Sequence, residues 1–486
     1  MEVKRASLAN IKNISGKVSQ FTIIVYLAYN LFQHSALALY IFNEELRTIT
    51  MVLTFVCTCV HLVVCMLYYG IKIFPFSKKL HNIFFYVSPV DFIFLGFLAC
   101  NLIWIYIIPH IYGNNPGQAF TDAGRLAMLL VYFPVAILIR MKEFNLRFIY
   151  KTIFFASFAV SIWHIFMWVG ESINPNFAVS IYTFLENATN GMFQRGEWIK
   201  GYGIIRVVTT NSVSLCIGFF LLFNYDFKNR FSKYLYVFVF TFAILCTFLK
   251  SLWFGIFAGV FIIILLIIYE YIKNQQNHSA VKILLASLCV TIFLNFTVFQ
   301  GAVLNRLLYA FISSEPLTSS EIPSDPENTW DPYLDQYGAY ISNNIKLEQA
   351  QKLLEKWREH PIVGHGYGSY IEGYLRSENA VFSYEMTFFA LLMKIGIAGA
   401  CVWVIFALSM VIAAYSKYKE NLRNFAVWFA IAVSFFVTIQ TNPLLFSPNG
   451  MIFILFLLLD TVQQNSINFK QLSEDKKPLA AHAVVK

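Results

Sequence analysis

Charged residues are scarce in this sequence. Only 13% of its 486 residues are Asp, Glu, Lys or Arg, whereas 58% are hydrophobic and 18% are aromatic. A soluble globular domain carries about 25% charged residues, so the composition excludes that class. The chain is predicted to be an integral membrane protein.

Two kinds of site signature are also missing. The eight cysteines lie in predicted spans and show neither a disulfide framework nor zinc-type spacing. The predicted outer loops contain no Asp-x-Asp pair and no histidine cluster, so we expect no metal and no other cofactor. We also expect no cleavable signal peptide, because the first apolar segment is as long as a full span and no small-residue cleavage site follows it.

Long apolar runs fill most of the chain. A spanning helix needs about 20 mostly apolar residues, and we count about twelve such runs. They cover residues 21–42, 49–69, 84–108, 123–140, 149–169, 206–224, 234–249, 251–272, 281–299, 384–414, 424–441 and 447–463. The predicted fold class is therefore an all-α integral membrane protein with about 12 transmembrane helices.

Lysine and arginine are concentrated on one side of this predicted bundle. Short cytoplasmic loops accumulate these residues, and with the N-terminus inside the following bases all become cytoplasmic: Lys72, Lys78, Lys79, Arg140, Lys142, Arg147, Lys151, Lys228, Arg230, Lys233, Lys417, Lys419 and Arg423. Arg47 is the one clear base in the short outer loops. The net charge of +9 thus reflects membrane topology, and we expect no nucleic-acid partner.

This topology divides the chain into five regions. Residues 1–20 and 464–486 are the cytoplasmic ends, 21–299 hold helices 1–9 with an outer loop near 170–205, 300–383 form a large outer (periplasmic) lobe, and 384–463 hold helices 10–12. Within the lobe, the spacing of the apolar residues Ala350, Leu353, Leu354 and Trp357 predicts an amphipathic helix. This helix should end at His360-Pro361. We expect this amphipathic helix on or over the membrane surface and an irregular, proline-rich segment before it.

Four charged residues stand at predicted outer helix ends. Arg125 opens the fourth span, Arg206 the sixth and Glu385 the tenth, and Lys250 lies between the seventh and eighth. Ionisable groups there are costly and tend to be functional, although Arg and Lys at helix ends also extend towards lipid phosphates. For Arg125 and Lys250, contact with lipid phosphates and a functional role are equally strong interpretations. Arg206 and Glu385 also join long loops to spans, which favours function.

Lys394 lies deeper, about 13 Å along the tenth predicted helix, on the face opposite Glu385. Two interpretations remain open for this lysine. It either pairs with a buried carboxylate such as Asp91 or lies outside the span because the predicted boundary is misplaced.

Four segments carry a family resemblance through their order and spacing. They are GIIRVVTTNSVSL (203–215), HPIVGHGYGSY (360–370) followed by Arg376, YEMTFFALLMKIGIAG (384–399) and TNPLLFSPNG (441–450). Together they resemble the O-antigen ligase and polymerase superfamily of bacterial membrane glycosyltransferases. The ligase branch usually has His at the start of the tenth helix, whereas Glu385-Met386 is more similar to repeat-unit polymerases.

The resemblance implies a reaction at the periplasmic face of the bacterial inner membrane. An acceptor hydroxyl attacks the anomeric carbon of a sugar chain on undecaprenyl diphosphate, and the lipid diphosphate leaves. The partners that the resemblance implies for this protein are the lipid-linked donor, the acceptor and the lipid bilayer. A chain-length regulator, a flippase or both would join them.

The resemblance also implies roles for particular residues. Arg206 is the first candidate to stabilise the leaving diphosphate, with Lys250, Arg376 and Arg125 as weaker candidates. Many members of the superfamily have Ser-Arg at the position where this sequence has Lys250-Ser251. Glu385 is the catalytic candidate that either accepts the acceptor proton or only positions the acceptor. The remaining substrate-binding candidates are Gly364, His365, Gly366 and Tyr367. For Tyr367 the interfacial aromatic belt or packing within the lobe is the stronger interpretation, and for His365 it is a loop position without a catalytic role.

Two alternatives stay open. A ligase or protein O-oligosaccharyltransferase of the same superfamily would transfer a finished glycan. A flippase or secondary transporter would also have about twelve helices, but it should show internal repeats and charged or broken segments near the bilayer midplane. The polar residues here gather at one face instead, which favours the enzyme.

Overall fold

The computed structural model describes residues 2–32, 44–74, 82–174, 177, 180–181, 197–199, 204–207, 210–224, 229–273, 278–308, 332–374 and 381–463. These residues are almost entirely helical, with one antiparallel hairpin of β1 (Glu197–Ile199) and β2 (Ile204–Arg206). The helices are α1 (Glu2–Phe32), α2 (Glu44–Tyr69), α3 (Pro89–Ile111), α4 (Pro116–Arg140), α5 (Leu146–Ile173), α6 (Asn211–Leu221), α7 (Arg230–Cys246), α8 (Lys250–Ile272), α9 (His278–Thr297), α10 (Ala302–Leu308), α11 (Pro332–Glu359), α12 (Thr387–Tyr418), α13 (Leu422–Ile439) and α14 (Pro448–Asp460).

Eight helices in the described residues are long and apolar enough to cross a membrane. They are α2, α3, α4, α5, α8, α9, α12 and α13, while α6 and α14 are shorter apolar helices. This supports the predicted class of an all-α membrane protein. The finer expectation of about twelve spans stays a prediction.

The centre of the bundle is built around α14 and the contact between α8 and α13. Every residue of α14 is buried, as expected for a helix that is apolar on all faces. A Cβ atom on Gly255 of α8 would lie 2.2 Å from Thr438 Oγ1, and one on Gly259 would lie 2.9 Å from the Ala430 carbonyl oxygen. These two glycines therefore allow α8 to approach α13 closely, in the small-residue packing typical of membrane helices.

Helix α12 is broken at Gly396, where the sequence predicts a continuous span. Gly396 has φ 61° and ψ −170°, a conformation that interrupts the helical hydrogen bonds. A sharp turn that contains residues 361–368, here called the glycine turn, pairs with the break. The amides of His365 and Gly366 donate to the carbonyls of Met393 and Lys394 at 3.0 and 2.7 Å, and the amides of Ile397 and Ala398 donate to the carbonyls of Pro361 and Ile362 at 3.0 and 2.9 Å.

The pairing requires glycine on both sides. A Cβ on Gly364 would lie 2.4 Å from the Lys394 carbonyl oxygen, and one on Gly396 would lie 2.3 Å from the Ile362 carbonyl oxygen. Non-helical backbone inside a membrane protein is tolerated only where its polar groups are satisfied by protein or water. The glycine turn meets that requirement for α12.

The helix predicted around residues 350–357 is present as α11, which ends at Glu359 directly before His360-Pro361. Its predicted position on or over the membrane surface stays a prediction. Its residues Ala350 and Leu353 are buried, and its apolar face packs against Tyr384, Met393 and the loop around residues 370–374. The proline-rich segment expected before it lies outside the described residues.

We predict that Gly396→Ala destabilises the protein severely. The substituted residue would have to adopt a backbone conformation that is essentially restricted to glycine, which costs about 1–3 kcal/mol, and its Cβ would overlap the Ile362 carbonyl. Thermal unfolding of the detergent-purified protein measures the effect. Gly96→Ala in α3 is the matched control, because no atom lies within 4 Å of a Cβ at that position and alanine favours a helix interior. Equal melting temperatures for Gly396→Ala and the unchanged protein would contradict the prediction.

Candidate functional site

A cavity of about 280 Å³ lies where α4, residues 382–384, the first part of α12 and the loop 440–447 meet. Its charged lining residues are Asp122, Arg125 and Lys394, and its other lining residues are Thr121, Phe382, Ser383, Tyr384, Thr387, Ala390, Leu391, Pro443, Leu445 and Phe446. Two cations thus face one carboxylate in a partly apolar pocket. Such a pocket favours a ligand that has an anionic group.

Lys394 and Asp122 form a buried ion pair in this cavity. The Lys394 Nζ to Asp122 Oδ2 distance is 2.6 Å, and the two side chains are 6% and 7% exposed. Nζ also donates to the Phe382 carbonyl at 2.9 Å, while Oδ2 accepts from the Gly368 amide at 2.9 Å. Lys394 thus pairs with a buried carboxylate, as one of the two interpretations has it, but the partner is Asp122 and not Asp91.

Asp91 has other partners because it lies at the far end of the bundle. Its carboxylate accepts from Arg140 at 2.6 and 2.9 Å and from the Tyr132 hydroxyl at 2.6 Å. Arg140 ends α4 whereas Asp122 lies near its start. The two ion pairs are separated by about 27 Å along that helix.

Arg125 lies inside α4, in a 3-10 segment from Gly124 to Val131, and does not open the helix as predicted. The preceding Pro116 and its N-cap Asn115 begin α4 two turns earlier. The Arg125 guanidinium lines the cavity and donates to the Phe446 carbonyl at 3.3 Å. Arg125 thus connects α4 to the loop 440–447.

The amides of the glycine turn are bonded inside the protein. Besides the bonds of His365 and Gly366 to α12, the Tyr367 amide donates to the Trp104 carbonyl at 2.9 Å and the Gly368 amide to Asp122. The turn therefore positions the cavity wall through its backbone. A direct substrate contact by Gly364 or Gly366 stays a prediction.

The side chains of His365 and Tyr367 are buried as well. Tyr367 is 0% exposed and its hydroxyl donates to Asn101 Oδ1 at 2.8 Å, so its ring has no open face for a sugar. Burial lowers the pKa of His365 below its ordinary value of 6.5, although the Glu359 carboxylate at 3.2 Å acts in the opposite direction. The imidazole is neutral at pH 7 and supplies no permanent cation.

Glu385 stands at the rim of the cavity, next in sequence to the lining residue Tyr384, and is not itself a lining residue. It precedes α12 by two residues rather than opening the helix. Its Oε2 lies 3.9 Å from Lys346 Nζ of α11, and its side chain is 18% exposed. The acidic group is thus half-buried between α11 and the start of α12, and its catalytic role stays a prediction.

The loop 440–447 extends the site towards Lys250. Lys250 is the first residue of α8, whereas the sequence predicts it in the turn just before that helix. The next residue, Ser251, accepts a hydrogen bond from Asn442 Nδ2 at 2.6 Å. The Asn442 carbonyl in turn accepts from Thr387 Oγ1 at 2.8 Å. These contacts connect the start of α8 to the start of α12, although Lys250 is not among the residues that line the cavity.

Arg206 lies in β2, so the prediction that it opens a helix is wrong. β-Branched residues surround it in the sequence GIIRVV, and the strand register pairs it with Glu197. The following Val207 amide donates to the Cys246 carbonyl at the end of α7, at 3.0 Å. This contact brings the hairpin to the α7–α8 turn that precedes Lys250, outside the cavity lining. Arg376 lies outside the described residues.

Asp122 is a site residue that is absent from the predicted candidates, although its position in the sequence indicates it. Asp122 and Arg125 are separated by one helical turn at the edge of an apolar run, a spacing that places both on one face. Asp122 is the only carboxylate among the described lining residues, and it is bonded to Lys394 and Gly368. The lining is therefore organised for an anion rather than as a cluster of metal ligands.

Comparisons with protein-family models, with curated proteins and with solved structures give no match for this chain.

We predict that removal of either charge of the Lys394–Asp122 pair destabilises the fold. Lys394→Met and Asp122→Asn should each cost about 3–5 kcal/mol, because each leaves a buried charge without its partner. The double variant should cost less than the sum of the two. Unfolding in mixed detergent micelles measures these free energies.

The exposed pair Lys352 and Glu348 of α11 provides the control. Lys352→Met should cost no more than about 1 kcal/mol. Additive effects of Lys394→Met and Asp122→Asn would show that the buried pair is not coupled.

Proposed function

We propose that this protein is a membrane glycosyltransferase that polymerises undecaprenyl-diphosphate-linked oligosaccharide repeat units of a surface polysaccharide. The reaction takes place at the outer face of the bacterial inner membrane, and both chain termini are cytoplasmic. The observation that carries the proposal is the cationic cavity together with the segments that surround it.

Two segments of the family resemblance, residues 384–399 and 441–450, line this cavity although they are distant in sequence, and the glycine turn is bonded to the first of them. The glycine turn holds the broken part of α12, α12 supplies Lys394, and the loop 440–447 supplies Pro443 and Phe446. The fourth segment, around Arg206, reaches the α7–α8 turn beside Lys250. We infer that these segments occur together in one chain because they form parts of the same substrate site.

The cavity chemistry suits the departure of a lipid diphosphate. As the anomeric carbon–oxygen bond breaks, negative charge grows on the diphosphate, and fixed cations stabilise it in the transition state. Arg125 and Lys394 line the cavity and are placed for this role, with Arg206 and Lys250 as further contacts to the donor. Arginine is suited to phosphate because its planar donors bind two oxygens at once.

The acceptor hydroxyl must lose a proton as it attacks the anomeric carbon. Glu385 at the rim of the cavity accepts this proton or positions the acceptor. Asp122 is held by Lys394 and Gly368, so its part is to keep the lysine in place.

One feature of the fold favours a transporter as the second candidate. Broken helices with charged residues occur at the substrate sites of secondary transporters, near the bilayer midplane, and α12 has both a break and Lys394. Gly396 lies 22 residues before the end of α12 at Tyr418, which corresponds to about 33 Å of helix. Since a hydrocarbon core is about 30 Å thick, a helix that runs along the membrane normal has its break near one membrane face. That depth favours the enzyme.

Loss of the cavity arginine should slow the reaction strongly. We expect Arg125→Ala to reduce the rate of chain extension by about 10²–10³-fold, as for removal of one charge-stabilising donor, and Arg125→Lys to retain part of it. The assay follows the growth of lipid-linked repeat units in isolated membranes, with protein amount measured by immunoblot. Lys419→Ala, an exposed lysine at the other end of α12, is the control and should match the unchanged protein.

The same assay tests the remaining residues of the proposed site. Arg206→Ala and Glu385→Ala should also lose activity at normal protein level. Polysaccharide of normal chain length from cells that carry either variant would refute the assignment of that residue.

Deletion of the gene distinguishes the candidate functions by the glycan that accumulates. A polymerase deletion should leave a single repeat unit on the final acceptor, visible as a short band when surface glycan is separated on a gel. Long chains that remain on the lipid carrier would indicate a ligase instead. Lipid-linked units retained on the cytoplasmic side would indicate a flippase.

A further inference from the structure

Three consecutive residues at the rim of the cavity, Tyr384, Glu385 and Met386, are all contacted by the lobe. The Tyr384 hydroxyl accepts a hydrogen bond from the Ile371 amide at 2.7 Å, and its ring is buried in one apolar cluster with Leu353 of α11. The contacts to Glu385 and Met386 are polar, and both come from α11. The lobe therefore holds the segment that leads into α12.

Gln349 of α11 makes the contact to Met386. Its Oε1 accepts a hydrogen bond from the Met386 amide at 2.9 Å, and the residue is only 2% exposed. A backbone amide can only donate, so the side-chain amide of Gln349 has its oxygen towards the start of α12. Because a buried polar group is costly unless it is hydrogen-bonded, this bond fixes both partners. The backbone next to Glu385 is thus attached to the lobe.

Lys346 contacts the carboxylate of Glu385 itself. It lies one helical turn before Gln349 and therefore on the same side of α11. The Lys346 and Glu385 side chains, whose Nζ and Oε2 atoms are 3.9 Å apart, are 28% and 18% exposed. The ammonium thus attracts the carboxylate and leaves it accessible from the water side.

A different element holds the next residue, Thr387. Its amide donates to the Gln440 carbonyl at 3.2 Å and its hydroxyl to the Asn442 carbonyl at 2.8 Å. The backbone after Glu385 is therefore attached to α11 at residue 386 and to the loop 440–447 at residue 387. Two attachments at adjacent residues leave this part of the rim little freedom to move.

We propose that Gln349 and Lys346 are positioning residues for Glu385. Gln349 fixes the backbone beside the carboxylate and Lys346 fixes the carboxylate, although neither residue lines the cavity. The inference rests on the proposed glycosyltransferase function, in which Glu385 meets the acceptor hydroxyl. A group that takes a proton must lie within hydrogen-bond reach of it, and a displacement of about 1 Å costs about 10²-fold in rate. The lobe thus acts on the reaction through α11.

Kinetics of the Gln349 variants test the proposal. Gln349→Met keeps the length of the side chain but removes the acceptor oxygen. We expect it to lower kcat for chain extension by about 10–10²-fold and to leave KM for the lipid-linked donor nearly unchanged, because the cavity cations are intact. Gln349→Glu, which keeps an oxygen there, should retain most of kcat. Gln351→Met, the same change at an exposed position of α11, should match the unchanged protein.

A double-variant cycle shows whether Gln349 acts through Glu385. In a Glu385→Gln background, Gln349→Met should lower kcat by no more than about twofold, because no carboxylate is left to position. Equal fold losses in the two backgrounds would indicate a general structural role and overturn the proposal. Lys346→Met gives the same test at a partly exposed position that folding does not require, and Lys346→Arg should retain most of kcat.

Hydrogen exchange measures the positioning without the reaction. In the detergent-purified protein, the amides of the peptide that contains Met386 should exchange at least about tenfold faster after Gln349→Met, as read by mass spectrometry, whereas peptides of α8 should not change. Equal exchange at Met386 would refute the positioning. A failure of the unchanged protein to extend lipid-linked units would instead refute the proposed function, and exchange would still decide whether Gln349 holds Met386.

Discussion

The backbone pairing between the glycine turn and the break in α12 is the contact on which the site depends. Four hydrogen bonds between residues 361–366 and 393–398 satisfy the polar groups that the break exposes. Without these bonds, each unpaired group would cost several kcal/mol in an apolar surrounding. The break in turn ends the first segment of α12 close to Lys394 and orients this residue towards Asp122. The position of a charged side chain thus follows from backbone hydrogen bonds.

The same turn holds the other walls of the cavity together. Trp104 Nε1 of α3 donates to the Val363 carbonyl at 2.8 Å, Asn114 Nδ2 to the His365 carbonyl at 2.6 Å, and Gly368 donates to Asp122 of α4. The turn also follows α11 directly, so the lobe is connected to the membrane helices through it. The glycine turn therefore connects α3, α4, α11 and α12 through its backbone, while the substrate-binding role that the family resemblance implies for it stays a prediction.

Sequence patterns predicted much of the fold because they depend on local physics. Apolar runs of spanning length anticipated most of the helices, and the spacing of Ala350 and Leu353 with His360-Pro361 after them predicted α11 and its end. The pairing of Lys394 could not be predicted, because it depends on how α4 packs against α12 and both Asp91 and Asp122 were available in sequence. The break at Gly396 was also missed, since glycine occurs in intact membrane helices and only the approach of residues 361–364 explains it. Arg206 was placed in a helix because an apolar run does not distinguish a short strand from a helix start.

The buried pair of Lys394 and Asp122 is not explained by stability alone. Two charges removed from water are often no more stable than two apolar residues of the same size. The proposed glycosyltransferase would give the pair a further use. Asp122 holds the ammonium in the cavity before any substrate arrives, so little reorganisation would be needed if negative charge developed beside it. Arg125 adds a second cation to the lining, which is the arrangement that the proposed leaving diphosphate would require.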